Sequence, residues 1–142
     1  MNVGSWQFWA LLSATFAALT AIFAKIGVEN VNADVATFLR TLVIVAVLAA
    51  ILLATGEYRS PGELSLRTAT FLVLSGLATG ASWLCYFRAL QLGDASRVAP
   101  IDKLSVLLVA LIGATFLGER LSPANWAGVA LIAAGAILIG MR

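Results

Sequence analysis

Histidine is missing from this sequence, and cysteine occurs only once, as Cys85. A single cysteine cannot form a disulfide within the chain. Without histidine, and with carboxylates that stand isolated from one another, the chain lacks the residues for a metal site. It also lacks those for a serine–histidine or cysteine–histidine catalytic arrangement. We therefore expect no metal, no cofactor and no enzymatic activity.

Charged residues are also scarce, at 11% of the chain, whereas 61% of the residues are hydrophobic. Soluble domains carry about 25% charged residues, so this composition argues against a soluble globular domain, whose surface it could not cover. The net charge is only +2, and the basic residues are scattered singly. No basic run of the kind that binds nucleic acid is present. We expect a membrane protein with no nucleic-acid partner.

Five apolar segments are marked out by charge-free runs and helix breakers, and each is about 19–23 residues long, the length of one membrane span. They cover residues 6–28, 35–55, 69–91, 96–117 and 123–141. Lipid permits only helices or closed barrels to span, and these segments show no alternation of apolar and polar residues. We predict an all-α integral membrane protein, a bundle of five transmembrane helices, with Asp34, Ser96 and Ser122 as N-caps.

The fourth segment is unusual because its charge-free run, from Leu104 to Gly118, is too short to cross a hydrocarbon core of about 30 Å. A helix from residue 96 to 117 is long enough, and it places Pro100, Asp102 and Lys103 within its first two turns. Ionisable residues at such a depth are costly and are functional candidates. Pro100 either loosens the helix start, as in gated transporter helices, or simply begins the regular helix. Both interpretations stay open.

Other charged residues are predicted at the same membrane level, since consecutive helices alternate in direction. The set comprises Lys25, Arg40, Arg88, Asp102 and Lys103. One interpretation is a cationic vestibule that holds an anionic or zwitterionic group. The other is that each base reaches out to lipid headgroups and that Asp102 pairs with Lys103 or a neighbour. Trp83 and Tyr86 either anchor the interface or face a cavity.

Small residues recur at helical spacing in the last two segments, where they would let helix backbones approach closely in lipid. They are Ala110, Ala114, Gly118, Gly128, Gly135 and Gly140. Packing within one protomer and contact between two copies explain this pattern equally well. The basic residues give no firm membrane orientation by the positive-inside rule, which is compatible with a chain that inserts both ways round.

Three stretches carry a resemblance to a known family: Trp83 to Tyr86, then ALQLGDASRVAP (89–100), then FLGERLSPANWAG (116–128) before a glycine-rich apolar end. Their order resembles the repeat unit of EamA-type proteins of the drug/metabolite transporter superfamily. Most relatives carry two such units, inverted in the membrane, with substrate passing between them. The resemblance implies that this single unit works as a homodimer, most simply an antiparallel one.

The resemblance also has departures. The four-helix small multidrug resistance proteins of this superfamily use an acidic residue in the middle of helix one to couple cation export to protons. The segment Trp6 to Ala24 contains no acid, so we do not expect proton-coupled export of hydrophobic cations. The phosphate-sugar antiporters of the superfamily use basic residues in their cavity, and the basic residues named above are similar in kind.

The sequence therefore leads to one hypothesis and one alternative. The hypothesis is a secondary transporter of a small polar, anionic or zwitterionic metabolite, acting as a homodimer by alternating access in the inner membrane. Lys103 and Asp102 would lie at or near the substrate, with Lys25, Arg40 and Arg88 adding positive potential. The alternative is a non-transporting membrane scaffold or lipid-handling partner protein, whose small-residue faces bind other helices.

Overall fold

The computed structural model describes residues 5–56 and 65–141. Within these ranges the chain is helical and contains no strand. Five helical stretches are long and apolar enough to cross a membrane, which confirms the predicted all-α membrane class. The helices are α1 (Trp6–Gly27), α2 (Ala33–Thr55), α3 (Leu66–Leu92), α4 (Ala95–Asp102), α5 (Ser105–Phe116) and α6 (Pro123–Gly140), and α4 and α5 together form one span.

Helix starts agree with the sequence prediction at one of three positions. Ser122 caps α6, where its side chain accepts a hydrogen bond from the Asn125 N–H at 3.2 Å, and Pro123 follows it. The two other predicted caps are wrong. Asn32, not Asp34, caps α2, and Asp94 stands at the N-cap of α4 in place of Ser96. In both cases the helix begins two residues earlier. The Asn32 side chain accepts from the N–H groups of Asp34 and Val35, as expected of a cap, whereas Asp94 makes no side-chain cap hydrogen bond.

The fourth span, predicted from residue 96 to 117, is interrupted, in line with one of the two interpretations that the sequence left open for Pro100. Pro100 has no N–H, so it cannot donate an α-helical bond to the carbonyl four residues earlier. Beyond it the backbone tightens to i→i+3 bonds, from Lys103 N–H to the Pro100 carbonyl and from Leu104 N–H to the Ile101 carbonyl, both at 3.0 Å. The result is a break between α4 and α5 that carries Lys103 and Leu104.

The chain divides into two compact units, and the first contains α1 as far as Lys25 together with α4, α5 and α6. Here α6 packs against both α4 and α5. The contact uses small residues: Ala133 and Ala136 are buried on α6, and Ala110 and Gly113 are buried on α5. Small side chains let the helix backbones approach closely where lipid provides no hydrophobic drive between helices.

The second unit runs from Ile26 to Gln91 and contains α2 and most of α3. Its buried residues lie where α2 begins and α3 ends; they are Val28, Ala33, Thr37, Phe87 and Leu90. Gln91 on α3 holds the link before α2, because its side-chain amide donates to the carbonyls of Val28 at 3.2 Å and Val31 at 2.6 Å. The second unit is therefore fixed at one end by polar contacts between side chains and backbone.

Candidate functional site

Arg40 on α2 lies over aromatic rings of α3. Its guanidinium carbon is 3.8 Å from the ring centroid of Trp83 and 5.4 Å from that of Phe87. Both distances are within the range of a cation–π contact. Trp83 and Phe87 are four residues apart and so share one face of α3. Among the described residues, no carboxylate lies within ion-pair distance of Arg40.

The position of Arg40 is within the span and not at its edge. α2 begins at Ala33, so at a rise of 1.5 Å per residue Arg40 lies about 10 Å along the helix. Its side chain is half-buried, as is that of Trp83, while Phe87 is 3% exposed and anchors this contact. Tyr86 is also half-buried on α3. The sequence singled out Arg40, Trp83 and Tyr86, whereas it gave no signal for Phe87 beyond its apolar character.

Arg88 has a carboxylate partner, Asp34 in the first turn of α2. Its Nη2 lies 2.9 Å from Oδ1 and 3.0 Å from Oδ2 of that carboxylate. Both side chains are more than half exposed. The negative charge of Asp34 is also favourable at the N-terminus of a helix. Sequence reasoning considered Asp34 only as a cap and missed this pairing.

Asp102 and Lys103 contact each other at the break between α4 and α5. The Lys103 Nζ lies 3.2 Å from Asp102 Oδ2, and the side chains are 55% and 38% exposed for Lys103 and Asp102 respectively. This is the pairing that the sequence left open as an alternative to substrate binding. The break also leaves both groups where the regular hydrogen bonding of the span is interrupted, as in the broken helices of transporters.

Two more basic residues of the first unit bind backbone carbonyls. Lys25 donates from Nζ to the carbonyl of Gly93 at 3.0 Å, just before α4. Arg97, which the sequence did not single out, donates from Nη2 to the carbonyl of Gly140 at 3.3 Å. A cation at the C-terminus of α6 is favourable to the helix dipole. The first contact ties the link before α4 to Lys25, and the second ties α4 itself to the end of α6.

The small residues of the first unit fall into two groups. Ala110 is buried, Ala114 is half-buried, and a Cβ at Gly140 would collide with Ile101 of α4, so these positions pack within the protomer. A Cβ at Gly128 or Gly135 would meet no described atom within 4 Å. These two glycines of α6 are therefore open to lipid or to another molecule.

Gly118 serves a different purpose, since it lies after α5 with a φ of +70° and a Cβ there would meet nothing described. This left-handed conformation favours glycine at a helix end. Gly113, which the sequence did not single out, lies against the carboxyl group of Glu119, because a Cβ there would come within 2.7 Å of Oε2.

No group of three metal-ligating side chains occurs within the described ranges.

Comparisons with known proteins place these features in context. Residues 4–141 match the EamA-like transporter family. A protein of Sinorhizobium sp., named an uncharacterized transporter in the cobO 3' region, is 65% identical over 137 residues, which are 96% of this chain and 97% of that protein. An uncharacterized transporter of Bacillus subtilis (strain 168), YwfM, is 33% identical over 70 residues, 49% of this chain and 24% of that protein. No solved structure matches. With its five apolar spans and a match that extends over nearly the whole sequence, the chain belongs to the EamA-like transporter family.

Proposed function

We propose that this protein is a secondary transporter of a small polar metabolite with an anionic or zwitterionic group, and that it works as an antiparallel homodimer by alternating access. The observation that carries the proposal is the family match over residues 4–141, which covers five spans and hence one unit. The Sinorhizobium relative, also named a transporter, is matched over 97% of its own length. This chain and the Sinorhizobium protein therefore share one unit of five spans.

The antiparallel dimer follows from the number of spans. An odd number of spans places the two ends of the unit on opposite sides of the membrane. A second copy inserted the other way round then reproduces the inverted pair of halves on which alternating access depends. The open glycines Gly128 and Gly135 on α6 provide a face where a second helix could approach closely.

The dimer proposal has a direct test. Reporters that are active on one side of the membrane only, fused to the C-terminus, should give signal on both sides, and differently tagged copies should co-purify. Signal on a single side would exclude antiparallel assembly of one gene product. Failure of the tagged copies to co-purify would exclude the dimer itself.

The substrate class follows from the charges in the spans. Lys25, Arg40, Arg88 and Lys103 outnumber the acids Asp102 and Asp34, the latter paired with Arg88, and this excess favours an anionic group. Lys103 and Asp102 lie at the break between α4 and α5, where a change of backbone angle disturbs few helical bonds. We place them on the substrate path, with the break acting as the hinge that alternating access needs.

The function is tested in two steps. A thermal-shift screen of purified protein against a metabolite panel identifies a ligand, and uptake of that ligand is then measured in liposomes. Lys103→Ala should reduce uptake at least tenfold, because loss of a charged partner costs about 1.5–3 kcal/mol. Arg120→Ala, which removes an exposed charge in the link after α5, serves as the matched control.

The outcomes separate the alternatives. Unchanged uptake by Lys103→Ala would show that the substrate does not depend on this residue. A scaffold or lipid-handling protein would show no thermal shift with any solute and no uptake, and lipid or a second protein would co-purify with it.

A further inference from the structure

The basic residues of this chain are not equivalent, and the difference lies in their partners. Arg88 faces the carboxylate of Asp34, and Lys103 faces that of Asp102. Lys25 and Arg97 donate to backbone carbonyls. Arg40 lies against the rings of Trp83 and Phe87, and Tyr86 interacts with its charge. Its positive charge is therefore not neutralised by an acid within the described part of the chain.

A guanidinium stacked on a ring keeps its hydrogen-bonding edge. The N–H groups of arginine point outward in the plane of the group, whereas the stacking contact uses its face. The guanidinium carbon lies 3.8 Å from the Trp83 centroid, a distance that fits contact through the face, which would leave the edge available. Carboxylates bind such an edge through two parallel hydrogen bonds. The aromatic contact also fixes the orientation of the fork before a ligand arrives.

An uncompensated charge inside a span requires an explanation. A charged side chain within the hydrocarbon region is costly, and such residues usually pair or mark a substrate path. Arg40 lies about 10 Å along α2 and is half-buried against α3. The cation–π contact offsets only part of the cost, roughly 0.5–2 kcal/mol. An anion bound to Arg40 during transport would supply the missing partner.

The contacts at this end of the second unit indicate which anion fits. Asp34 is paired with Arg88 and Glu29 lies outside the helices in the link before α2, so Arg40 is the arginine of these two helix ends without a carboxylate in contact. A carboxylate carries one negative charge, whereas a phosphate monoester carries about −1.5 to −2 at pH 7 and is usually held by several cations. One arginine fork matches one carboxylate in both charge and shape.

We propose that Arg40, stacked on Trp83, is the residue that binds the carboxylate of the transported metabolite. This deepens the proposed function and rests on it, because it names the group through which the substrate is held. It also assigns to Arg40 the anchoring role that the sequence alone assigned to Lys103. Trp83 acts as a positioning residue, since it orients the guanidinium without contacting the carboxylate.

Binding can be measured without transport by using Trp83 as the reporter. Replacing Trp6, Trp9 and Trp126 by Phe leaves Trp83 as the only tryptophan, and its emission responds to the charge against its ring. The protein is placed in phosphatidylcholine nanodiscs and titrated with sodium acetate, and with sodium chloride at matched ionic strength. We expect a saturable change with acetate at a concentration at least tenfold below any effect of chloride.

The arginine variants test the assignment. In Arg40→Lys, which keeps the charge and loses the planar fork, the acetate midpoint should rise at least tenfold, and in Arg40→Gln the response should be lost. Arg67→Lys makes the same exchange at the opposite end of α3, where the side chain is exposed, and should leave the midpoint unchanged. Elution volume in gel filtration shows that each variant is folded, and if Arg40→Lys fails this check, Arg40→Gln decides the result.

Other results of the same experiments would contradict the proposal. No saturable acetate response, or the same midpoint in Arg40→Lys, would overturn the proposal. Inorganic phosphate binding as tightly as acetate would refute the carboxylate, and an emission change on adding phosphatidylglycerol that acetate cannot reverse would identify a lipid headgroup instead. Acetate binding without liposome uptake of any solute would refute the transport function and leave the site intact. Uptake unaffected by Arg40→Gln would refute the site and leave transport intact.

Discussion

The contact between α4 and α6 allows a prediction whose size follows from the structure. Gly140 ends α6, and a Cβ added there would collide with Cδ1 of Ile101 and lie 3.0 Å from its Cγ1. Overpacking of a core costs about 1–3 kcal/mol. Ile101 is 40% exposed and Cδ1 is the free end of its side chain, so a rotamer change relieves part of this cost. Alanine gains up to about 1 kcal/mol over glycine inside a helix, and less at its last residue. Gly140→Ala should therefore lower the free energy of unfolding by at most about 1 kcal/mol.

The same contact supplies a rescue. Ile101→Val deletes Cδ1, the atom that the new methyl group would meet, and on its own should cost about 0.5–1.5 kcal/mol. In the double variant the two costs should not add, and a favourable coupling of at most about 1 kcal/mol is expected between residues in direct contact. Gly76→Ala on α3 is the control, because its Cβ meets no described atom within 4 Å, and it should be neutral or stabilising.

Equilibrium unfolding of the purified protein in mixed micelles measures all four variants. The reasoning is refuted if Gly140→Ala is as stable as Gly76→Ala, or if the double variant shows no coupling. Either result would mean that the Ile101 side chain is not held against the end of α6. Since Ile101 is followed by Asp102 and Lys103, such a result would also remove the support that positions this pair.

Two further predictions concern the helix starts and the exposed ion pair. Ser122→Ala should lower the free energy of unfolding by about 1 kcal/mol because it removes the cap of α6. Ser96→Ala, the control, should change the free energy of unfolding by less than about 0.5 kcal/mol. Equal losses in the two variants would contradict the cap assignment. In a double-mutant cycle of unfolding free energies, Asp34→Asn and Arg88→Gln should show a coupling of about 0.2–1 kcal/mol, as for exposed ion pairs. A coupling above about 2 kcal/mol would mean that the pair is more deeply buried than the structure shows.

The spans were predictable because a membrane imposes a length. An apolar run must reach about 20 residues to cross, so Leu104 to Gly118 had to be extended into the polar residues before it. The same arithmetic could not show that this span is broken. A proline in the first turns is compatible with a regular helix start and with a break. The choice depends on how α4 packs against α6 through Ile101 and Gly140, which sequence does not specify.

The helix caps show a limit of a different kind. Asn32 and Asp34 are both good N-cap residues, as are Asp94 and Ser96. Local propensity alone cannot choose between two suitable residues that stand two positions apart. In α2 the choice leaves Asp34 within the first turn, where its carboxylate reaches Arg88. The error of two residues at the cap therefore concealed an ion pair.

Sequence reasoning placed the basic residues at one membrane level and favoured Lys103, but membrane level does not determine which of them is ready to bind an anion. Before Lys103 can bind a carboxylate it must give up, or share, its contact with Asp102 at 3.2 Å. Arg40 has no such competitor among the described residues, and its guanidinium has already lost water from one face to Trp83. Part of the cost of removing water from the Arg40 guanidinium is therefore met on folding. The edge of the guanidinium that would bind a carboxylate is also already oriented. Lys103→Ala is expected to abolish uptake while the Trp83 response to acetate persists. That result would mean that binding and passage depend on different residues. Arg40 would hold the carboxylate, and the break at Lys103 would permit the movement.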